Sequence, residues 1–256
     1  MNTAERRQQT IIELLGKQSF VDLHFLTEEL HVSVATVRRD LDELEHAGKI
    51  RRTHGGAVAV NQVAQDVSFK TRAVSYLPQK RAIAKQAIAR IATGDAVLLD
   101  AGTTTLEIAK LLAGRSDLTV ISHGADVINE LTQTLGRSFY SVGGEYSEPD
   151  RSFRGPLAEM MIRQFNVDKL FLNASSFDFE RGMIFNSDPT NASIQRTMIE
   201  VATYVIVVAD HSKFMKSNLS TSVRIDDVDI ILTDSGAKEI IKNIPDKYKR
   251  KFVFSD

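Results

Sequence analysis

The spacing of apolar residues divides this chain into two parts with different rhythms. Up to about residue 57, apolar residues recur every three or four positions, which is typical of amphipathic helices. From residue 77 onward, short apolar runs typical of buried strands alternate with helical segments. The stretch between them lacks a strong period and contains the polar run NQVAQD. We therefore predict a small domain over 1–57, a linker over 58–76 and a larger domain over 77–256.

The first domain is predicted to hold three helices followed by a basic hairpin. The predicted helices cover residues 4–15, about Leu23 to Leu30, and Ser33 to about His46. Asp22 can cap the second helix and Ser33 the third, because their side chains accept bonds from free backbone N–H groups. The hairpin follows at Lys49–Arg52 and His54 and turns at Gly55-Gly56. This order is typical of a winged helix-turn-helix.

The third helix presents a polar face that suits duplex DNA. Its apolar stripe must face inward, and this turns Thr36, Arg38 and Arg39 outward beside the basic hairpin. We expect Asp40 to orient an arginine or to pair with the hairpin. The predicted DNA-binding residues, which would read the major groove and grip phosphates, are Ser33, Thr36, Arg38, Arg39, Arg51, Arg52 and His54.

The second domain is predicted to be an α/β domain. Its apolar runs include AVLLD, LTVIS, KLFLNAS, YVIVVAD and DIILTD, and amphipathic helical segments separate them. Strands buried on both faces and alternating with helices predict a parallel-rich sheet with helices on both faces. Together the two domains give the expected fold class, an α/β protein with an N-terminal winged helix-turn-helix.

Composition narrows the functional classes. The chain of 256 residues has a formal net charge of −1 and contains no cysteine. We therefore expect no disulfide or thiolate metal site, and the six scattered histidines have no ligand spacing, so we predict neither metal nor cofactor. The polar start MNTAERRQQT does not resemble a signal peptide, and no apolar run is long enough to cross a membrane. These features predict a soluble, cytoplasmic protein.

Polar residues at the predicted strand ends form a candidate ligand site. Asp100 to Thr105 joins a strand to a helix, where free N–H groups and threonine hydroxyls can surround an anion. A threonine-rich helix cap without a ligand, a solvated lysine at Lys213, and an Asx-rich turn at 173–178 are the alternatives. The candidate effector-binding residues at these strand ends are Asp100, Gly102, Thr103, Thr104, Thr105, Asn173, Asp178 and Lys213.

Particular residues along nearly the whole chain resemble the DeoR family of bacterial transcriptional regulators. The first domain carries TVRRDL, residues 36–41, and the later HGGA, residues 54–57. The second carries Gly94-Asp95, the run DAGTTT at 100–105, and DHSKF at 210–214. The resemblance implies a repressor of a sugar operon that a phosphorylated sugar or related metabolite releases from operator DNA. It also implies a C-terminal fold similar to ribose-5-phosphate isomerase, with the ligand at the carboxyl ends of the strands.

Several residues depart from the family pattern. His31 stands where a glycine is usual, in the turn before the third helix, and we expect it to adopt a left-handed backbone. Asn191 and Gln195 replace a usual Glu and Lys one helical turn apart, and His123 and Asn173 replace a usual Asn and Gly. This comparison adds Gln195 to the candidate effector-binding residues. We hypothesise that the effector differs from the usual sugar phosphate in its non-phosphate half, so that Asn191→Glu/Gln195→Lys would change ligand preference.

Two other functions stay open at this point. A phosphosugar isomerase or deaminase would share the fold, but it would need a positioned general base, and the acidic residues near the fourth strand are reduced to Asp178. An activator differs from a repressor only in operator position, which the chain does not contain. We also expect a homo-oligomer, because helix-turn-helix proteins commonly bind paired half-sites.

Overall fold

The computed structural model describes residues 3–17, 20–47, 49–53, 56–59, 69–135, 138–214 and 218–255. Contacts divide the chain into two compact units, 1–65 and 66–256. The helices of the first unit are α1 Thr3–Lys17, α2 Leu23–Leu30 and α3 Val34–His46. Its strands are β1 Phe20–Asp22, β2 Ile50–Thr53 and β3 Gly56–Ala59, which form an antiparallel sheet in the order β1-β3-β2. The winged helix-turn-helix is thus present, with β1 as a strand that the apolar pattern did not predict.

The caps predicted from the sequence define the helix-turn-helix. The Asp22 carboxylate accepts from the Phe25 N–H at 2.8 Å, and the Ser33 hydroxyl accepts from the Thr36 N–H at 3.2 Å. Between the two helices, His31 adopts φ 51° and ψ 41°, the predicted left-handed conformation. This residue ends α2 and redirects the chain into α3.

An apolar core and one buried ion pair hold α3 in place. Val37, Leu41 and Leu44 are buried in a cluster with apolar residues of α1, α2 and the sheet. Asp40 is also buried, and it accepts from Arg7 Nε at 2.7 Å and from Arg7 Nη2 at 3.0 Å. Asp40 therefore orients an arginine of α1, which was one of its two predicted roles.

A parallel sheet organises the second unit. Over the described ranges it has seven strands in the order β15-β14-β12-β9-β4-β5-β6, and each neighbouring pair is parallel. The strands are β4 Ala96–Leu99, β5 Thr119–Ser122, β6 Tyr140–Ser141, β9 Val167–Asn173, β12 Ala202–Val208, β14 Ile230–Asp234 and β15 Phe252–Ser255.

Helices cover both faces of this sheet, as predicted. Alternate residues of one strand enter two different apolar clusters: Leu170 and Leu172 lie in one, and Phe171 lies in the other. The helices of this unit are α4 Phe69–Val74, α5 Leu77–Ile88, α6 Thr103–Leu111, α7 Ala125–Thr134, α8 Pro156–Ile162, α9 Pro189–Glu200, α10 Lys238–Ile241 and α11 Asp246–Lys249.

Two smaller antiparallel sheets were not predicted. One pairs β7 Glu145–Ser147 with β8 Ser152–Arg154, and the other has the order β10-β11-β13. The strands of the second are β10 Ser176–Asp178, β11 Met183–Asn186 and β13 Ser220–Arg224. Their shortness, and a register shift between Ile184 and Phe185, leave little alternation for the sequence to reveal.

The structure also differs from the predicted linker over 58–76. Strand β3 extends to Ala59, helix α4 occupies Phe69–Val74, and the contact-based boundary falls after Gln65. Phe69 is buried, so this part of the chain packs on the second unit. Residues 60–68 lie outside the described ranges.

Candidate functional site

The exposed face of α3 carries the predicted groove-reading residues. Arg38 and Arg39 are both exposed, and the Arg39 side chain is 83% exposed, with Glu43 3.6 Å away on the next turn. The Ser33 and Thr36 hydroxyls lie 2.9 Å apart at the start of the helix. Burial of the apolar stripe therefore turns the arginine pair to the surface of this unit, as expected.

The basic hairpin of β2 and β3, which we call the wing, is less available for DNA binding than the sequence predicted. Arg52 donates to the Asp42 carboxylate of α3, and its backbone N–H donates to Glu45 Oε1 at 2.7 Å. Arg51 lies in β2 opposite Val58, and the prediction for His54 falls outside the described residues.

In the second unit, the strand order creates a crevice between β4 and β9. The chain passes from β4 to β5 on one side, whereas β9 lies on the other, and ligands in open α/β sheets bind at such switch points. Asp100 follows β4 and is buried there. Its carboxylate accepts from the backbone N–H groups of Ala101 at 2.8 Å and Asn173 at 2.9 Å. Asp100 thus joins the carboxyl ends of both strands.

The loop after Asp100 brings the backbone close to β9. Gly102 caps α6, and a Cβ added there would lie 2.6 Å from Asn173 Cγ. Its φ of 168° is extended backbone, so crowding alone requires glycine. Thr103 and Thr104 begin α6 and line the crevice together with Gly102. The first turn of α6 therefore presents N–H groups to any anion held in the crevice.

Cationic groups line this crevice, which we call the β4–β9 pocket. It has an empty volume of ≈ 600 Å³, partly open to solvent, and Lys213 and Arg72 both line it. Burial lowers the pKa of Lys213, Asp210 opposes this effect, and the positive charge of Arg72 lowers it further. Lys80 is buried behind them, and its burial lowers its pKa to about 8.

Amide and carboxylate groups also line the β4–β9 pocket. Asn186, Asn191 and Asp150 line it. Asn191 lies in α9 and donates through Nδ2 to the Asp150 carboxylate, whereas its buried Oδ1 has no hydrogen-bond partner within the described part of the chain. An unpartnered buried acceptor is costly unless a ligand or water supplies a donor.

Two predicted effector residues have their polar groups engaged inside the protein. The Thr105 hydroxyl donates to Asp100 O at 2.6 Å and accepts from Asn173 Nδ2 at 3.0 Å. Gln195 lines the pocket, but its amide bridges the Asp100 carboxylate at 2.8 Å and Asn173 O at 2.9 Å and accepts from Ser222. These two residues shape the pocket rather than project into it.

Asp178, another predicted effector residue, lies in the β10–β11 hairpin. It ends β10 and accepts from the Arg181 N–H at 2.9 Å in the turn to β11, and it does not line the β4–β9 pocket. After Asn173 the chain leaves the large sheet for the β10–β11 hairpin, which carries Asp178 away. The Asx-rich turn, which was the alternative interpretation, describes this residue.

Comparison with known proteins identifies the chain. Residues 7–63 match the DeoR-like helix-turn-helix domain, and residues 76–235 match the DeoR C terminal sensor domain. The transcriptional repressor AccR of Agrobacterium fabrum is 58% identical over 255 residues, which are 100% of this chain and 99% of that protein. The chain belongs to the DeoR family. The uncharacterized HTH-type transcriptional regulator YulB of Bacillus subtilis is 36% identical over 94% of this chain and 93% of its own length.

This DeoR-family protein is a DNA-binding transcriptional repressor with a sensor domain, and the enzyme alternative is set aside. Among solved structures, ribose 5-phosphate isomerase A of Methanocaldococcus jannaschii aligns with a TM-score of 0.42 and 16% identity, over 56% of each chain. Within the described ranges, no helix is both long and apolar enough to span a bilayer.

Other pocket residues of this repressor were absent from the predicted effector-binding set. Arg72 was assigned to the linker, and Asp150 lies in the turn SEPDRS, where no pattern marks it. Phe69, three residues before Arg72, was the available sign of a helix with a buried face. His123 and Asn191 had been singled out only as departures from the family, and both line the pocket.

Proposed function

We propose that this DeoR-family repressor controls a carbohydrate-utilisation operon and leaves its operator when a phosphorylated sugar binds the β4–β9 pocket. The carrying observation is that two kinds of group line that pocket. Lys213, Arg72 and the first turn of α6 suit a phosphate. Neutral hydrogen-bonding groups, among them the unpartnered Asn191 Oδ1, suit hydroxyl groups.

The proposed effector contacts use both kinds of group. Gly102, Thr103 and Thr104 would surround the phosphate through backbone N–H groups and hydroxyls, with Lys213 as a point charge. Asn173 and the Asp100 carboxylate would accept from sugar hydroxyls. Gln195 would act indirectly, because its amide orients Asp100. A lysine at position 195 would instead add a charge beside Asp100, which supports the hypothesis of an altered non-phosphate half.

On the DNA side, α3 would enter the major groove of duplex operator DNA. Arg38, Arg39 and Thr36 would contact base edges or phosphates, with Ser33 at the helix start. The wing residues Arg51, Arg52 and His54 would contact the backbone. To bind a phosphate, Arg52 would have to leave Asp42 or interact with both groups at once. We therefore expect Arg52 to contribute less to DNA affinity than Arg38 and Arg39.

The effector would bind one conformation of the protein more tightly than another. Its binding would therefore shift the population away from the conformation that binds DNA. Because operators commonly contain paired half-sites, we propose that the protein acts as a homo-oligomer. We also propose that it acts in the cytoplasm, because its relatives AccR and YulB come from bacteria, whose DNA lies in the cytoplasm.

A thermal-shift screen of phosphosugars, each paired with its unphosphorylated sugar, tests the effector class. We expect a phosphosugar to raise the melting temperature and its unphosphorylated counterpart to have little effect, because a ligand of the folded state stabilises it. Hits are then added to the repressor bound to duplexes selected from a random pool, with fluorescence anisotropy as the readout. Stabilisation by free sugars alone, or hits that never release DNA, would contradict the proposal.

A further inference from the structure

Arg72 lines the β4–β9 pocket, and its contacts within the protein do not use all of its hydrogen-bond donors. Its Nη2 donates to Pro149 O at 3.0 Å. The nearest carboxylate oxygen, Asp150 Oδ1, is 3.8 Å from Nη2, which is too long for a hydrogen bond. Nε is buried, and no hydrogen-bond partner for it occurs in the portion of the chain that the structure describes. The guanidinium thus retains donor capacity at the wall of the pocket.

Asp150 does not interact with Arg72 alone, because its carboxylate is shared with two other side chains. Arg154 Nη1 lies 3.6 Å from Asp150 Oδ2, and Asn191 Nδ2 donates to the same oxygen. Arg72 in turn lowers the pKa of Lys213, as expected of two positive groups facing one pocket. An anion placed between Arg72 and Lys213 would relieve this repulsion and could accept from the guanidinium fork.

Arg72 also lies on the element that leads into the second unit. Helix α4 is the first described element after residues 60–68, which follow the wing in the chain. Phe69 is buried at its start, and at its end the Lys80 ammonium donates to Arg72 O and to Ser75 O, the latter at 2.7 Å. The backbone of Arg72 is therefore held by Lys80 of α5, and its side chain is held by the backbone of Pro149.

We propose that Arg72 binds the anionic group of the effector directly, and that pocket occupancy acts through this contact on α4 and the chain leading to the DNA-binding unit. The inference rests on the proposed function, which supplies the phosphorylated effector. It adds a phosphate-binding residue that does not lie at a strand end. It also lets the effect of ligand binding pass along the backbone from α4 toward the DNA-binding unit. If the Arg72–Asp150 ion pair were purely structural, ligand binding would not change amide exchange in α4.

Affinity measurements with two substitutions and a matched control test the first half of the proposal. The probes are inorganic phosphate, ribose 5-phosphate and glucosamine 6-phosphate, titrated into the full-length protein by calorimetry and thermal shift. Arg72→Gln should weaken binding of each responding probe by about tenfold or more, and Arg72→Lys, which keeps the charge but loses the fork, by less. Arg115→Gln is the control, because Arg115 is also 27% exposed and pairs with Asp117 outside the pocket.

Hydrogen–deuterium exchange tests the second half. In the wild type, saturation with a responding probe should slow amide exchange in residues 69–74, and it should slow it less in Arg72→Lys at equal saturation. Binding of all probes by Arg72→Gln within about twofold of the wild type would overturn the direct contact. Unchanged exchange of α4 in the saturated wild type would overturn the relay.

The proposed function and this inference fail in different ways. If no phosphate or phosphosugar stabilises the wild type, the proposed function fails and the role of Arg72 fails with it. If the wild type binds a phosphosugar and Arg72→Gln binds it equally well, only the inference fails. If Arg72→Gln is unfolded in the absence of ligand, Arg72→Lys replaces it in the comparison with the wild type. The expected result is then weaker binding by Arg72→Lys than by the wild type.

Discussion

Gly102 shows how one residue without a side chain positions the β4–β9 pocket. Its backbone approaches Asn173 so closely that an added methyl group would lie 2.6 Å from Asn173 Cγ. Gly102→Ala should displace the Asn173 amide and break its bond to the Thr105 hydroxyl. We expect a loss of about 1 kcal/mol in the free energy of unfolding and about tenfold weaker effector binding, measured by urea denaturation and calorimetry.

Gly143→Ala is the control for that prediction. A methyl group there would meet its nearest neighbour, Met161 Sδ, at 3.9 Å, which is ordinary contact. We expect almost unchanged stability and affinity. Equal losses in the two variants would show that crowding against Asn173 is not the cause.

His211 and Asp234 give the sensor unit a pH-dependent interaction. The hydrogen bond at 2.7 Å from His211 Nδ1 to Asp234 Oδ2 raises the pKa of His211. Burial alone would raise the pKa of Asp234, but bonds from His211 and Gly236 lower it. The pair is therefore at full strength between the ordinary pKa values of 3.8 for Asp and 6.5 for His, and it weakens as pH rises through the raised pKa of His211.

His211→Gln, which keeps a hydrogen-bonding group but does not titrate in this range, tests this interaction. We expect the wild type to exceed the variant in free energy of unfolding by more at about pH 5.5 than at about pH 8.5. Urea denaturation at both values measures it. A difference that is constant or grows with pH would contradict the assigned sign.

At the scale of elements, the turn at His31 sets the direction of α3. Its left-handed backbone, with φ 51°, suits glycine and is tolerated by histidine, but it strongly disfavours β-branched residues. His31→Val should lower the free energy of unfolding by about 1–2 kcal/mol and weaken DNA binding, whereas His31→Gly should preserve both. Thermal melts and anisotropy titrations measure the two effects. A stable, fully binding valine variant would mean that the turn does not constrain α3.

The ion pair between α1 and α3 makes a second prediction at this scale. Asp40→Ala would leave Arg7 without its bidentate partner, whose hydrogen bonds raise the pKa of Arg7. Loss of one partner of a buried pair costs about 3–5 kcal/mol, and we expect about 2 kcal/mol because the Arg7 side chain is 20% exposed and can be hydrated. Urea denaturation measures it. Lost DNA binding at unchanged stability would instead assign Asp40 to the interface.

The elements that the sequence predicted are those with a strong period or a recognisable cap. The stripe of Val37, Leu41 and Leu44 placed α3, and the apolar run of residues 96–99 placed β4. Helix α4 lacked such a stripe, because of its six residues only Phe69 is buried. Its absence from the prediction also removed Arg72 from the candidate site.

Site residues at strand ends were predictable only as far as the topology was. Asp100 and Asn173 follow neighbouring parallel strands, so their meeting follows from the β4–β9 pairing. Asp178 lies five residues beyond Asn173, but an unpredicted antiparallel hairpin carries it away. The hydrogen bonds of Gln195 include one from Ser222 of β13, another strand with no clear signal in the sequence.

For the molecule as a whole, the division into two units predicts that DNA binding and effector binding can be lost separately. Arg38→Ala/Arg39→Ala removes two exposed cations from α3, so it should abolish operator binding, while the thermal shift with a phosphosugar remains. Thr104→Glu places a negative charge at the start of α6, so it should abolish that shift while the protein still binds operator DNA.

Matched variants keep these two losses interpretable. Arg224→Ala/Arg250→Ala removes the same charge from exposed positions of the sensor unit, and we expect it to keep both activities. Because Thr104 is buried, Thr103→Glu provides the same repulsion at a less buried pocket residue, where it is less able to disturb folding. Loss of both activities in either arginine or threonine variant, with melting temperatures unchanged, would mean that the two functions share one surface. Regulation would then arise by direct competition between DNA and effector, and a relay through α4 would have no part in it.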